Sequence, residues 1–349
     1  GIIKRYYPKW LLYFSVFILF FANTVNIGAD LGAMASSAQL IINIPFLLWM
    51  ILIIAIIIFL EIFIPYSTYA RILKYLTFSL FAYVITVFMV KQDWIKILTS
   101  TFIPSVSLSK DYLFNVVAIL GTTISPYLFF WQADEEVEEE IENHKIVSMG
   151  KGRPNVTRND IKKLRLDTFV GMFFSNLVMF FIIVTTASTI GINGIKNIQT
   201  ADQAALALRP LAGDFAFLLF ALGIIGTGFL AIPILAGSAS YAMSEALDWK
   251  TGLGKKFSQA RPFYFVIAIA TVLGLLTNLL PIKPFQMLYY AAILNGLCAP
   301  ILLILIMKIS NNKNIMKENK NSFTSNIFGW FITILMTICS IVLLISLVL

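Results

Sequence analysis

Long apolar stretches alternate with short polar connections along the whole chain. Nine of them stand out, at roughly 10–35, 41–64, 75–91, 111–132, 168–190, 214–240, 263–281, 285–308 and 325–348. Most run for about 17–25 residues, the length a helix needs to cross a bilayer. Continuous apolar runs of this kind suit helices and not the alternating pattern of a membrane barrel. The pattern predicts an all-α integral membrane protein with nine transmembrane helices in one domain spanning 1–349. Composition agrees, with 59% hydrophobic and 13% charged residues.

Charge then orients the chain. The formal net charge is +8, which invites a nucleic-acid reading, but its distribution argues otherwise. The connections at 1–9, 65–74, 133–167, 248–262 and 308–322 hold 20 of the 26 Lys and Arg residues. This alternation is the positive-inside pattern, so these connections and the amino terminus are expected on the cytoplasmic side of a cell membrane. The partner implied is the lipid bilayer, with no nucleic acid and no obligatory protein partner evident. No cleavable signal peptide is visible. The chain begins at Gly1 and enters its first span within ten residues, which is expected of a fragment or of a processed chain. Cys298 and Cys339 lie in apolar segments and suggest neither a disulfide nor a zinc site; His144 is expected in a solvated loop. There is no P-loop and no nucleophile–base arrangement, so neither an enzyme nor a resident cofactor is expected.

Local chemistry is concentrated in a few places. Gly121-Thr-Thr-Ile-Ser-Pro126 puts a Gly, three hydroxyl residues and a Pro into the middle of an apolar segment. Such a stretch invites the helix to unwind, and unwound backbone at membrane depth is tolerated only where protein buries it or it lines a cavity. Broken helices of this kind place carbonyl oxygens at transporter substrate sites. Asn23, Asn26 and Asp30 share one face of the first segment. Asp30 reads either as a network residue or as a group in water near the helix end. Glu61 is expected to snorkel to the interface. Seven of the eighteen acidic residues fall within 134–142, which reads as a cation-attracting funnel or as a solvated helical extension. The Gly- and Pro-rich stretch 214–247 predicts close helix packing or a lining role. Asn295, Gly296 and Pro300 make 285–308 a second, weaker candidate for an irregular helix.

Three stretches together resemble the Nramp divalent-metal transporters, and within them the divergent Nramp-related branch. They are Asn23-Thr-Val-Asn-Ile-Gly-Ala-Asp-Leu-Gly-Ala-Met34, Gly121-Thr-Thr-Ile-Ser-Pro-Tyr127 and the segment 214–247. The resemblance runs along nearly the whole chain. It implies a LeuT-type fold of inverted repeats, with this chain supplying the family's third to eleventh helices: a partial first repeat at about 10–91, a second at about 111–308, and an extra helix at 325–349. The Asp-Pro-Gly-Asn motif of the family's first helix is absent here. The family's carbonyl and Met metal ligands match Thr122 and Ser125, so a hydroxyl stands where the thioether would be. The family's His after the Pro is Tyr127 here. Asp30 matches an Asp of its third helix, Ala33 stands in place of a Glu, and Phe263–Leu280 lacks the family's Arg.

On that resemblance the expected function is secondary transport of divalent metal cations, Mn²⁺ and Mg²⁺ with Fe²⁺ as a third candidate, by alternating access. The metal is substrate and not cofactor. Thr122, Ser125 and Asn295 are the expected ligands. Gly121, Pro126, Tyr127, Asn26 and Asp30 are expected to support or gate the site, with weak or no proton coupling. Two other readings stay open: a LeuT-type transporter of an organic solute such as an amino acid, and a truncated, non-transporting membrane remnant.

Overall fold

The computed structural model describes residues 2–64, 75, 78–103, 105–107, 109–142, 146, 157–192, 194 and 198–348. Among them there is helix and no strand. His144 and the middle of the connection 133–167 lie outside the described residues. The principal helices are α1 (Lys9–Gln39), α2 (Phe46–Phe63), α3 (Phe81–Met89), α4 (Trp94–Phe102), α5 (Lys110–Thr123), α6 (Pro126–Glu142), α7 (Arg158–Thr186), α8 (Ala216–Ala246), α9 (Arg261–Thr277), α10 (Pro284–Asn311) and α11 (Phe323–Val348).

Each of the nine apolar stretches contains helix, but they do not span alike. Seven helical stretches among the described residues are long and apolar enough to cross a membrane. The stretch near 75–91 instead forms the pair Phe78–Met89 and Trp94–Phe102, bent by 118°. Lys91, Gln92 and Asp93 at the bend explain it, because Asp93 caps α4 by accepting from Lys96 N–H at 3.0 Å. The seventh stretch is the shorter apolar helix Arg261–Thr277. The chain is thus a multi-pass, all-α membrane protein, and length alone supports seven spans, or eight with the bent pair.

Helix α1 is the hub, packed against α2, α8, α9 and α10. Its small residues permit this. A Cβ on Gly28 would lie 2.4 Å from Gly274 O of α9, and one on Gly32 would lie 2.4 Å from Asn278 Oδ1. Asn278 Nδ2 in turn donates to Gly28 O at 2.8 Å. The Gly-rich stretch 214–247 forms one helix, α8, with Pro233 inside it. Its buried face meets α1, where Met34 covers Gly228, and α6, where Trp131 lies over Gly237. This is the close approach that small residues allow between helices in lipid. Beyond the C-terminal end of α8, Lys4 donates to Ala246 O at 3.0 Å and pairs with Asp248 at 2.5 Å. A cation there suits the negative end of the helix, and the pairing holds the Asp248 carboxyl below its ordinary range.

The irregularity expected in 285–308 is not observed: α10 is continuous through Asn295, Gly296 and Pro300. Pro300 has no N–H to give to the carbonyl four residues back. That carbonyl, Gly296 O, is taken by Ser340 Oγ of α11 at 3.0 Å. A side chain from a neighbouring helix replaces the lost backbone bond, as membrane helices require.

Candidate functional site

The helix breaks where the residue chemistry places it. Helix α5 ends at Thr123, Ile124 leaves helical geometry (φ −106°, ψ 62°), and α6 starts at Pro126. A helix end orphans its last carbonyls. Leu120 O is still reached by Ile124 N–H at 2.8 Å. Pro126 has no N–H for Thr122 O, and Ser125 Oγ donates to that oxygen instead, at 2.8 Å, with a longer approach of 3.5 Å to Gly121 O. Thr122 and Thr123 hydroxyls both turn back to Ile119 O, at 2.9 and 2.7 Å. The break therefore presents a carbonyl oxygen and a hydroxyl oxygen side by side, with Ser125 buried.

The break is braced from three sides. Gly121 lies directly against α10: a Cβ there would sit 2.1 Å from Ala292 O and 2.4 Å from Gly296 N. Reciprocally, a Cβ on Gly296 would sit 2.5 Å from Val117 O. The first turn of α6 is tied to α8, since Ser238 Oγ donates to Tyr127 O at 3.0 Å. Tyr127 packs against the cluster that includes Ile27 and Leu31 of α1, the helix that carries the half-buried Asp30.

The polar face of α1 does not act as one unit. Asn23 Nδ2 donates to Leu235 O of α8 at 2.9 Å. Asn26 and Asn295 form a reciprocal carboxamide pair across α1 and α10, at 2.9 and 3.1 Å. One helix face thus addresses two neighbours. In this conformation the Asn295 carboxamide is engaged by Asn26. We expect Asn295→Ala to cost about 1 kcal/mol, in line with polar pairs between membrane helices. A thermal-unfolding double-mutant cycle with Asn26→Ala should return a coupling of similar size, and additive losses would show that the pair does not interact.

Below the break, a cavity of about 910 Å³ runs along α6 toward the start of α7. Thr123, Ile124 and Ser125 line one part of it, and Glu135, Glu139 and Asp167 another. The acidic stretch is therefore helical, and part of it faces this cavity. Sequence reasoning missed a second role. Tyr241 of α8 donates its hydroxyl to Glu138 in a short contact, and Leu253 N–H reaches Glu138 Oε1 at 3.1 Å and Tyr241 Oη at 3.0 Å. Glu138 thereby latches the far end of α6 to α8 and to the connection after it. A Tyr hydroxyl in the buried run Gly237-Ser-Ala-Ser-Tyr241 was the available signal. We expect Tyr241→Phe to remove about 2 kcal/mol, the range for a hydrogen bond to a carboxylate. Urea or thermal unfolding in detergent checks this, and an unchanged midpoint would argue against the latch.

Among the described residues, no group of three His, Cys, Asp or Glu side chains is arranged to hold a metal ion. Any ion at the break would rest on neutral oxygens and water.

A multi-pass helical bundle with a helix broken beside a cavity is an architecture that membrane transporters share. The family described as Nramp, natural resistance-associated macrophage protein-like, matches residues 1–346, and the chain belongs to it. Relatives named divalent metal cation transporter MntH include one from Caldanaerobacter subterraneus subsp. tengcongensis, 24% identical over 249 residues, covering 71% of this chain and 54% of the relative. Another, from Clostridium acetobutylicum, is 22% identical over 269 residues, covering 75% and 56%. The chain spans about half the length of the curated relatives it matches. A manganese transporter from Eremococcus coleocola, solved with an aromatic bis-isothiourea substituted compound, superposes with a TM-score of 0.68 at 15% identity, covering 99% of this chain and 73% of that one. At such identity the likeness establishes the fold, which is of the LeuT type.

Proposed function

We propose that this chain is the part of a secondary transporter that moves divalent metal cations by alternating access, with its site at the break between α5 and α6. One observation carries the reading. Thr122 O and Ser125 Oγ lie 2.8 Å apart, and neighbouring ligands of an octahedral ion with bonds near 2.1 Å lie about 3 Å apart. Rotation of the Ser125 hydroxyl away from Thr122 O releases their hydrogen bond and leaves a lone pair on each oxygen for a shared ion. Asn295, beside Gly296 at the Gly121 crossing, joins when its carboxamide parts from Asn26.

Ions that suit two neutral hard oxygens and several retained waters are Mn²⁺, Mg²⁺ and Fe²⁺. The acidic lining of the 910 Å³ cavity raises the local cation concentration on the way to or from the break. Gly121 keeps α5 seated on α10, Pro126 starts the half-helix that rocks, and Asp30 and Tyr127 support its first turn. Proton coupling is weak or absent, because Tyr127 and Ala33 replace groups that titrate in the family pattern, and Phe263–Leu280 lacks the pattern's charged Arg. The connections rich in Lys and Arg, and with them the amino terminus, face the cytoplasm.

Uptake into proteoliposomes tests the function. Mn²⁺ entry without a fixed proportion of lumenal acidification supports it, whereas entry of an amino acid and no divalent ion would replace it.

A further inference from the structure

Glu61 is a buried carboxyl that the transport reading does not use. It lies on α2, two residues before its C-terminal residue Phe63, with 6% of its surface exposed. The interface position expected from the sequence is not adopted. Neither carboxyl oxygen has a hydrogen-bond partner among the described residues. Its neighbourhood is apolar, with Ile57 fully buried one turn away in a cluster that includes Tyr264 and Phe263 of α9.

The charged and titratable groups on the helices packed against α2 are otherwise committed. On α1, Lys9 and Tyr13 are exposed and Asp30 is half-buried. On α8, Tyr241 is bonded to Glu138, and Glu245 interacts with Asp134. On α9, Arg261 is exposed, and the Tyr264 hydroxyl donates to Lys255 O at 2.7 Å. Among the described residues, no cation is seen to face Glu61, and no donor is bonded to it. An ionised carboxylate in such a place is costly by several kcal/mol, and an intramembrane carboxyl of this kind marks a functional site.

We propose that Glu61 is a proton-binding site, separate from the broken helix and occupied by a proton in this conformation. The ligand is a proton and not a metal ion, because one carboxyl with no second ligand cannot hold a cation against water. Its place one turn from the end of α2 gives a short route to the aqueous phase on that side. Tyr264, whose hydroxyl donates to Lys255 O at 2.7 Å, is a donor on α9 that could turn to Glu61 when the proton leaves. The inference stands whether or not the break binds metal.

Infrared spectroscopy of the purified protein near neutral pH tests it. The expected result is a protonated-carboxyl C=O band above the amide region that shifts in D₂O and is lost in Glu61→Gln, while the variant keeps the wild-type unfolding temperature. Carboxyl-¹³C labelling of all glutamates moves the same band in the unsubstituted protein, which assigns it to glutamate and not to aspartate. Absence of the band, its persistence in Glu61→Gln, or a failure to move on glutamate labelling would overturn the proposal.

Discussion

Replacing Gly121 by alanine is expected to destabilise the protein by about 3 kcal/mol, the upper range for forcing one extra carbon into a packed interior. The reason is that the obstacle is backbone. The added Cβ would lie 2.1 Å from Ala292 O and 2.4 Å from Gly296 N, and neither atom belongs to a side chain that can swing away. Helix α5 would have to lift from α10 along its last turn, which is the turn that leads into the break. Gly296→Ala meets Val117 O at 2.5 Å from the other side and is expected to cost a similar amount. Because the two changes relieve or damage one crossing, their combination should cost less than the sum of the two losses. Thermal unfolding in detergent reads all three proteins. A Gly121→Ala variant as stable as the wild type would mean that α5 and α10 do not approach this closely.

Ser125→Met is the second large effect expected, and it acts on selectivity more than on stability. Ser125 sits at the head of the 910 Å³ cavity, so the longer side chain has room to extend. It exchanges a hard hydroxyl for a soft thioether and uncovers Thr122 O. Soft ligands favour soft ions, so Cd²⁺ affinity relative to Mn²⁺ should rise by at least about tenfold, roughly 1.4 kcal/mol. Competition calorimetry measures the ratio. A variant that binds Mn²⁺ as before and gains nothing for Cd²⁺ would show that residue 125 does not touch the ion.

The break was legible in the sequence because its cause is local. Gly, Pro and short hydroxyl side chains change what their own backbone can bond to, and Pro126 and Ser125 act within four residues of each other. The apolar stretches were legible for the same reason, since a bilayer imposes length and composition residue by residue. What escaped depends on partners far apart in the chain. Asn26 and Asn295 are each polar residues in apolar segments, and only the crossing of α1 and α10 makes them one pair. Glu138 read as part of a solvated acidic run until α8 brought Tyr241 against it. Pro300 suggested an irregular helix, and Ser340, forty residues on, removes that need by covering Gly296 O. Glu61 read as an interfacial carboxylate because its distance from the helix end is a local quantity, whereas the apolar walls supplied by α9 are not. The third span showed the reverse limit: an apolar stretch of sufficient length bends where Asp93 caps a new helix.

The central claim is that the break between α5 and α6 holds a divalent cation on Thr122 O and Ser125 Oγ. Electron paramagnetic resonance of free Mn²⁺, titrated with purified protein and with a Ser125→Val variant, tests it most directly. The account predicts loss of the free-ion signal to one site per chain in the wild type and clearly weaker binding in the variant. Equal binding by the two proteins, or none by either, would contradict it.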